Sequence, residues 1–149
     1  MQVREITLDD AAEAAALSGD LGYPASTEAI EQRIQAATGQ PDRAIYVAHL
    51  NGKVLGWIDV SVVEHLQSGA RAEIGGLVVA NGHRGLGIGK KLVERAEAWA
   101  TERGFPQMLV RSQIAREAAH RFYLREGYER TKTSAVFTKT LGVSTNTLR

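Results

Sequence analysis

The chain has 149 residues, 44% hydrophobic and 23% charged, with a formal net charge of +1. That length fits one domain with a substantial core, and the composition excludes wholesale disorder and collagen-like repeats. Cysteine is absent, which removes disulfides, thiolate metal sites and cysteine nucleophiles. His49, His65, His83 and His120 are scattered without ligand spacing, so no metal site is expected. No apolar run reaches the ~18 residues of a membrane span. Met1 leads straight into Gln2-Val3-Arg4-Glu5 with no secretory signal pattern, so a cytoplasmic protein without a membrane partner is expected.

Charge is unevenly placed. Residues 1–70 hold four Lys/Arg against ten Asp/Glu, a net −6, whereas residues 71–149 hold fourteen against seven, a net +7. One half suits a cationic ligand and the other an anionic one.

In chain order, Val3 to Ile6 alternates as a short strand, and alanine-rich Leu8 to Leu17 suits a helix starting near Thr7 or Asp9. Gly22-Tyr23-Pro24 breaks that pattern. Ser26 then reads as an N-cap, with Glu28 in the first turn and Ile30, Ile34 and Ala37 on one helical face. Ala44 to Leu50 and Lys53 to Val63 are rich in β-formers and flank Asn51-Gly52, a hairpin signal because both turn residues need φ > 0. A turn near Ser68-Gly69 leads into Ala72 to Val79, making three consecutive antiparallel strands.

Helical periodicity returns after Leu86, with Ile88, Leu92, Ala96 and Trp99 on one face, until Gly104 and Pro106. Gln107 to Arg111 is a short apolar strand, Arg116 to Glu126 a helix closed by Gly127, and Tyr128 to Leu141 a final strand or hairpin. The predicted order is β-α-α-β-β-β-α-β-α-β(-β), an α/β fold with a mixed sheet. Ala72 to Arg111 forms a strand–helix–strand crossover, so its two strands should be parallel neighbours.

The most informative stretch runs from that central strand into the long helix. Gly75, Gly76, Gly82, Gly85, Gly87 and Gly89 crowd the junction, with Arg84, Lys90 and Lys91 beside them. Free N–H groups and the dipole at a helix start attract anions, and glycines let the backbone approach closely. A phosphate or pyrophosphate is the natural ligand. A Walker A loop fails because Arg84 and Lys91 stand where glycine and a hydroxyl residue are required. A dinucleotide fingerprint starting at Gly85 would need glycine at Lys90, and three antiparallel strands precede it, which that fold does not expect.

Arg84-Gly85-Leu86-Gly87-Ile88-Gly89 resembles the Arg/Gln-x-x-Gly-x-Gly/Ala signature of the GNAT superfamily of acyl-CoA-dependent N-acyltransferases. Glu73 to Val79 is similar to the strand before it. Arg116 to Tyr123, followed by Gly127-Tyr128, is similar to the family's helix ending Phe-Tyr before a Gly-Tyr/Phe turn. The element order matches from about Val3 to Leu141. The resemblance implies a single N-acetyltransferase domain over residues 1–149, a GNAT-like mixed sheet with helices on both faces, and acetyl-CoA as acyl donor.

It further implies that the CoA pyrophosphate sits on the backbone amides of Arg84, Gly85, Leu86, Gly87, Ile88 and Gly89, with Lys90 beside them. The pantetheine arm would pair with Leu77, Val78 and Val79 like an added strand. That requires the strand to splay from Gln107–Arg111, which a bulge at Gly75-Gly76 makes easy. The acidic half would then face the acceptor amine.

In such enzymes the amine attacks the thioester directly. Tyr123 is the candidate general acid for the leaving thiolate, since a phenol with pKa ~10 is protonated at pH 7; a core aromatic is the bland reading. The Val79 N–H is the candidate oxyanion donor. Glu73 is the candidate base or water relay, weighed evenly against a surface ion pair with Arg71. Asp59, Glu64 and His65 are further, unranked candidates. Arg116 departs from the asparagine often found at that place, which leaves its contact with the cofactor open.

The activity expected is acetyl transfer from acetyl-CoA to a primary amine of a small molecule or peptide. A non-catalytic acyl-CoA-binding module is the alternative, and a mere binder would have no use for Tyr123. Near-neutral charge, with three Phe, two Trp and four Tyr in no basic stripe, argues against nucleic acid. Tyr23, Trp57, His65 and Tyr128 are candidate pocket residues for which packing is the preferred reading. A homodimer is the expected assembly.

Overall fold

A computed structural model describes residues 1–20, 22–83, 85–112 and 116–142. The chain gathers into two compact units, Met1–Arg111 and Ser112–Arg149. The first holds β1 (Gln2–Glu5), a 3-10 turn (Leu8–Asp10), α1 (Ala11–Asp20), α2 (Thr27–Ala37), β2 (Arg43–Leu50), β3 (Lys53–His65), β4 (Gly69–Val79), α3 (Ile88–Glu102) and β5 (Met108–Val110). The second holds α4 (Glu117–Arg125).

The five strands pair in sequence order, antiparallel from β1 to β4 and parallel between β4 and β5. The β2–β3 hairpin turns on Asn51 and Gly52 at φ 52° and 78°, the conformation their pairing predicts. Ser26 caps α2 by accepting a hydrogen bond from Ala29 N at 3.0 Å. Gly104 closes α3 at φ 82°, with Phe105 N donating back to Ala100 O. β4 and β5 are the parallel neighbours that the crossover requires.

Helices cover both faces of this sheet. Gly56 presents its bare Cα to Leu92 and Ile88 of α3, and a Cβ there would lie 3.1–3.2 Å from them and 2.8 Å from Val78 O. On the opposite face Leu17 of α1 packs with Val47, Val54 and Val78, and Trp57 closes the cluster. Tyr46, Val47, Ile58, Val60, Ile88, Leu92 and Val93 are the largest fully buried side chains.

Two expectations need correction. The first helix is preceded by a 3-10 turn at Leu8–Asp10, because the Asp10 carboxylate binds backward. It accepts from Thr7 N at 2.8 Å and from both Arg4 Nη atoms at 2.8 and 2.9 Å. The strand or hairpin expected over Tyr128 to Leu141 is absent: residues 128–142 carry no strand pairing. β-forming residues favour an extended backbone but do not supply a partner, and the second unit offers no other strand among its described residues.

Asp10 is 4% exposed, and Arg4 hydrogen bonds hold its carboxyl below the usual carboxylate range. Asp10→Asn should therefore cost about 1–3 kcal/mol at pH 7, read by urea denaturation. The charged form is favoured by folding, so the contribution is full above the unfolded value of about 3.9 and fades as pH falls through the lower folded one. The gap between wild type and variant should close in strong acid; a gap independent of pH would refute the ion-pair account.

Candidate active site

β4 determines the site. Against β3 its register slips once: Asp59 faces Gly76 and Val60 faces Ile74, leaving Gly75 as an unpaired bulge. Against β5 its pairing runs Ala72–Met108, Glu73–Leu109 and Ile74–Val110, and stops there. Among the described residues no β4–β5 pairing continues past the bulge. From Gly76 to Val79, β4 has β3 on one side and no strand on the other among the described residues.

An extended ligand can use that free edge. Val78 turns its side chain into the α1-side cluster and is 5% exposed, while Leu77 and Val79 are half-buried, so all three offer backbone groups rather than side chains. Gly76 lies on the same face as Val78 and leaves room for Trp57: a Cβ there would meet the indole at 2.9 and 3.1 Å.

Beyond Val79 the chain turns through Gly82, Gly85 and Gly87, at φ 80°, 87° and 79°, left-handed conformations that favour glycine. A Cβ at Gly85 or Gly87 would meet nothing within 4 Å, so open space lies over the loop. Gly87 is the N-cap of α3 and, lacking a side chain, leaves the first helical N–H groups uncapped. Lys90 and Lys91 are exposed on the first turn, Leu86 is 62% exposed, and Ile88 is buried, contributing backbone only. Uncapped donors, open space, a helix dipole and two lysines fit a pyrophosphate. Arg84 lies outside the described residues.

Glu73 and Gly76 lie on the same sheet face, with Asp59 and Ser61 opposite them on β3. Glu73 is ion-paired, but its partner is Arg111 rather than Arg71: Arg111 Nε lies 3.1 Å from Glu73 Oε1. Arg111 follows β5, which parallel pairing brings beside Glu73, a neighbour invisible to local sequence spacing. Asp59 is gripped by Arg43, with Nε to Oδ1 at 3.1 Å and Nη2 to Oδ2 at 2.8 Å. Its carboxylate lies 3.9 Å from where a Gly75 Cβ would stand. Glu64 and His65 are separated from it, exposed at the β3–β4 turn, about 17–20 Å along the strand from Asp59.

In the second unit, Tyr123 sits on α4 edge-on to Phe122 and Tyr128, at centroid distances of 5.2 and 5.8 Å. Burial pushes its phenol above the ordinary value, with Arg116 pulling weakly the other way, so it is a protonated donor at neutral pH. Gly127 at φ 92° turns the chain so that Tyr128 N donates to Tyr123 O at 3.0 Å. Arg116 is exposed at the start of α4 and its side chain does not cap the helix. Of the suggested pocket residues, Tyr23 is 52% exposed and Trp57 packs inward with a buried, unpartnered Nε1. Among the described residues no cluster of three or more His, Asp or Glu suits a metal, and no helix is long and apolar enough to cross a membrane.

A bulged strand leading to an uncapped helix N-terminus defines an α/β domain whose loop chemistry suits a pyrophosphate-bearing cofactor. The sequence pattern of the Acetyltransferase (GNAT) family matches residues 8–128. An aminoalkylphosphonate N-acetyltransferase from Salmonella typhimurium is 35% identical over 114 residues, spanning 76% of this chain and 71% of the relative. The fold matches an aminoglycoside 6′-N-acetyltransferase from Acinetobacter haemolyticus with a TM-score of 0.82 at 15% identity, covering 95% of this chain and 99% of that one. An aminoglycoside N-acetyltransferase solved with CoA also matches at 0.82 and 18% identity, over 94% and 95% of the two chains.

The chain belongs to the GNAT acetyltransferase family. It transfers acetyl groups from acetyl-CoA to amines, and the non-catalytic alternative is disfavoured.

Gly87→Val should weaken CoA binding at least tenfold by calorimetry, since a β-branched residue resists φ 79° and fills the open space over the amides. Unchanged affinity in a folded variant would remove the loop from the cofactor site. Arg84→Ala should weaken binding less, with the loss larger at low salt.

Proposed function

We propose that this enzyme acetylates the primary amine of a small molecule, with residues 1–149 working as one acetyltransferase domain. The observation that carries the reading is the fork at Gly75, where the free edge of β4 leads into the uncapped start of α3. Leu77, Val78 and Val79 bind the pantetheine arm. Gly85 to Gly89, flanked by Arg84 and Lys90, hold the pyrophosphate. The aminoalkylphosphonate specificity named for the Salmonella relative supports a small amine, in preference to a peptide, as acceptor.

Glu73 accepts the proton of the acceptor's ammonium, directly or through water, freeing the nitrogen lone pair. The C–N bond forms as the C–S bond breaks, Val79 N–H stabilises the charge on the carbonyl oxygen, and Tyr123 gives its proton to the leaving thiolate. The second nitrogen proton passes through water to the tyrosinate, leaving a neutral amide and restoring the phenol. The raised phenol pKa suits an acid that must remain protonated until the sulfur demands the proton.

The assembly we infer is a homodimer. Val136 and Phe137 are 89% and 93% exposed in the segment after α4, and apolar side chains so uncovered favour a second copy. Use of acetyl-CoA, an intracellular thioester, supports a cytoplasmic location.

Tyr123→Phe should lower kcat about 10²–10⁴-fold with little change in CoA affinity. In wild type the rate should fall at alkaline pH only above the ordinary tyrosine value of about 10, as the buried phenol ionises, and that limb should vanish in the variant. Turnover within about twofold of wild type would assign the proton to solvent. Sedimentation should give a dimer, converted to monomer by Phe137→Glu; a wild-type monomer at all concentrations refutes the assembly.

A further inference from the structure

We propose that Arg111 selects acceptor amines bearing an oxyanion a few bonds from the amino group, binding that anion at the fork between β4 and β5. The inference rests on the amine-acetylation reading above and adds the residue that recognises the acceptor's second charge.

Pairing between β4 and β5 ends at Ile74–Val110, so Arg111 is the first residue past the parting of the strands. Its side chain is 67% exposed, and its one hydrogen bond among the described residues is from Nε to Glu73. The Nη1 and Nη2 donors are left for a ligand, in the planar fork that suits phosphonate, phosphate or carboxylate. Arg43, also on this face, is committed differently, with Nε and Nη2 both bound to Asp59, and Arg71 lies two residues before Glu73, on the side away from the end of the β4–β5 pairing. Arg111 is therefore the guanidinium at the end of the β4–β5 pairing, and its two terminal nitrogens have no partner among the described residues.

The carboxylates supply the other half of the recognition. Glu73 and Asp59 side chains are 21% and 24% exposed, on the same face and flanking the bulge. An ammonium beside Glu73 and an oxyanion on the Arg111 Nη atoms would stand roughly 4–6 Å apart, each held by a ~2.9 Å hydrogen bond to one member of the same ion pair. A two-carbon linker spans that gap. An exposed ion pair of this kind adds little stability, so the arrangement is better explained by a ligand of both charges.

The test compares kcat/KM for 2-aminoethylphosphonate, β-alanine and n-propylamine, which share a short linker and differ in the second group. Wild type should prefer the two anionic amines over propylamine by tenfold or more. Arg111→Gln should cut that preference roughly 10–100-fold, the range for a hydrogen bond to a charged group. Arg111→Lys should restore part of it, having charge without the fork. Equal loss on all three amines would show that Arg111 acts only through Glu73 and would overturn the proposal. So would an unchanged preference, or a wild type indifferent to the anion, a result that does not depend on the variant folding. A rate of CoA release that none of the amines raises above the amine-free background would instead refute the acetylation reading beneath it.

Discussion

Because Gly75 has no partner on β3, Glu73 and Gly76 face the same side of the sheet although they stand three positions apart. In an unbroken strand that spacing would put them on opposite faces. The same extra residue coincides with the last β4–β5 pair, so a single insertion both aims the side chains and frees the strand edge. Glycine suits it, since the nearest atoms to a Cβ there belong to Asp59, whose carboxylate stays uncovered from that side.

Two arginine–carboxylate pairs flank this bulge, and their energetics point away from stability. The side chains of Arg43 and Asp59 are 35% and 24% exposed, and Arg111 is more exposed still. Pairs of this kind typically contribute at most about 1 kcal/mol. What they fix is orientation: each holds a carboxylate oxygen at a defined place on one face of the sheet. The Arg4–Asp10 pair is the contrast: its carboxylate is nearly buried, and it ties β1 to the turn before α1.

Charge partition along the chain takes on a more local meaning in three dimensions. Asp59 comes from the acidic half and Glu73 from the basic half, yet sheet pairing sets them on one face. Lys90 and Lys91 stand at the loop end, beyond the free edge of β4. The division that matters is thus along β4, carboxylates at the fork and cations at the helix start, rather than between residues 1–70 and 71–149.

Sequence alone was sufficient for whatever depends on near neighbours along the chain. The Asn51-Gly52 turn, the Ser26 cap, the α3 stripe and the glycine loop all follow from backbone preferences within a few residues, whereas the Gly75-Gly76 bulge is expected only through the family resemblance. The motif around Gly85–Gly89 carried the family with it. Arg111 as the partner of Glu73, Arg43 as the partner of Asp59, and the separation of Glu64 and His65 from the fork required the folded sheet. These contacts join residues 38 and 16 positions apart through strand pairing, and no local rule sets that register. The C-terminal segment marks the same boundary. Its residues favour extension, but a strand exists only where another strand accepts its hydrogen bonds, and residues 128–142 have no such pairing.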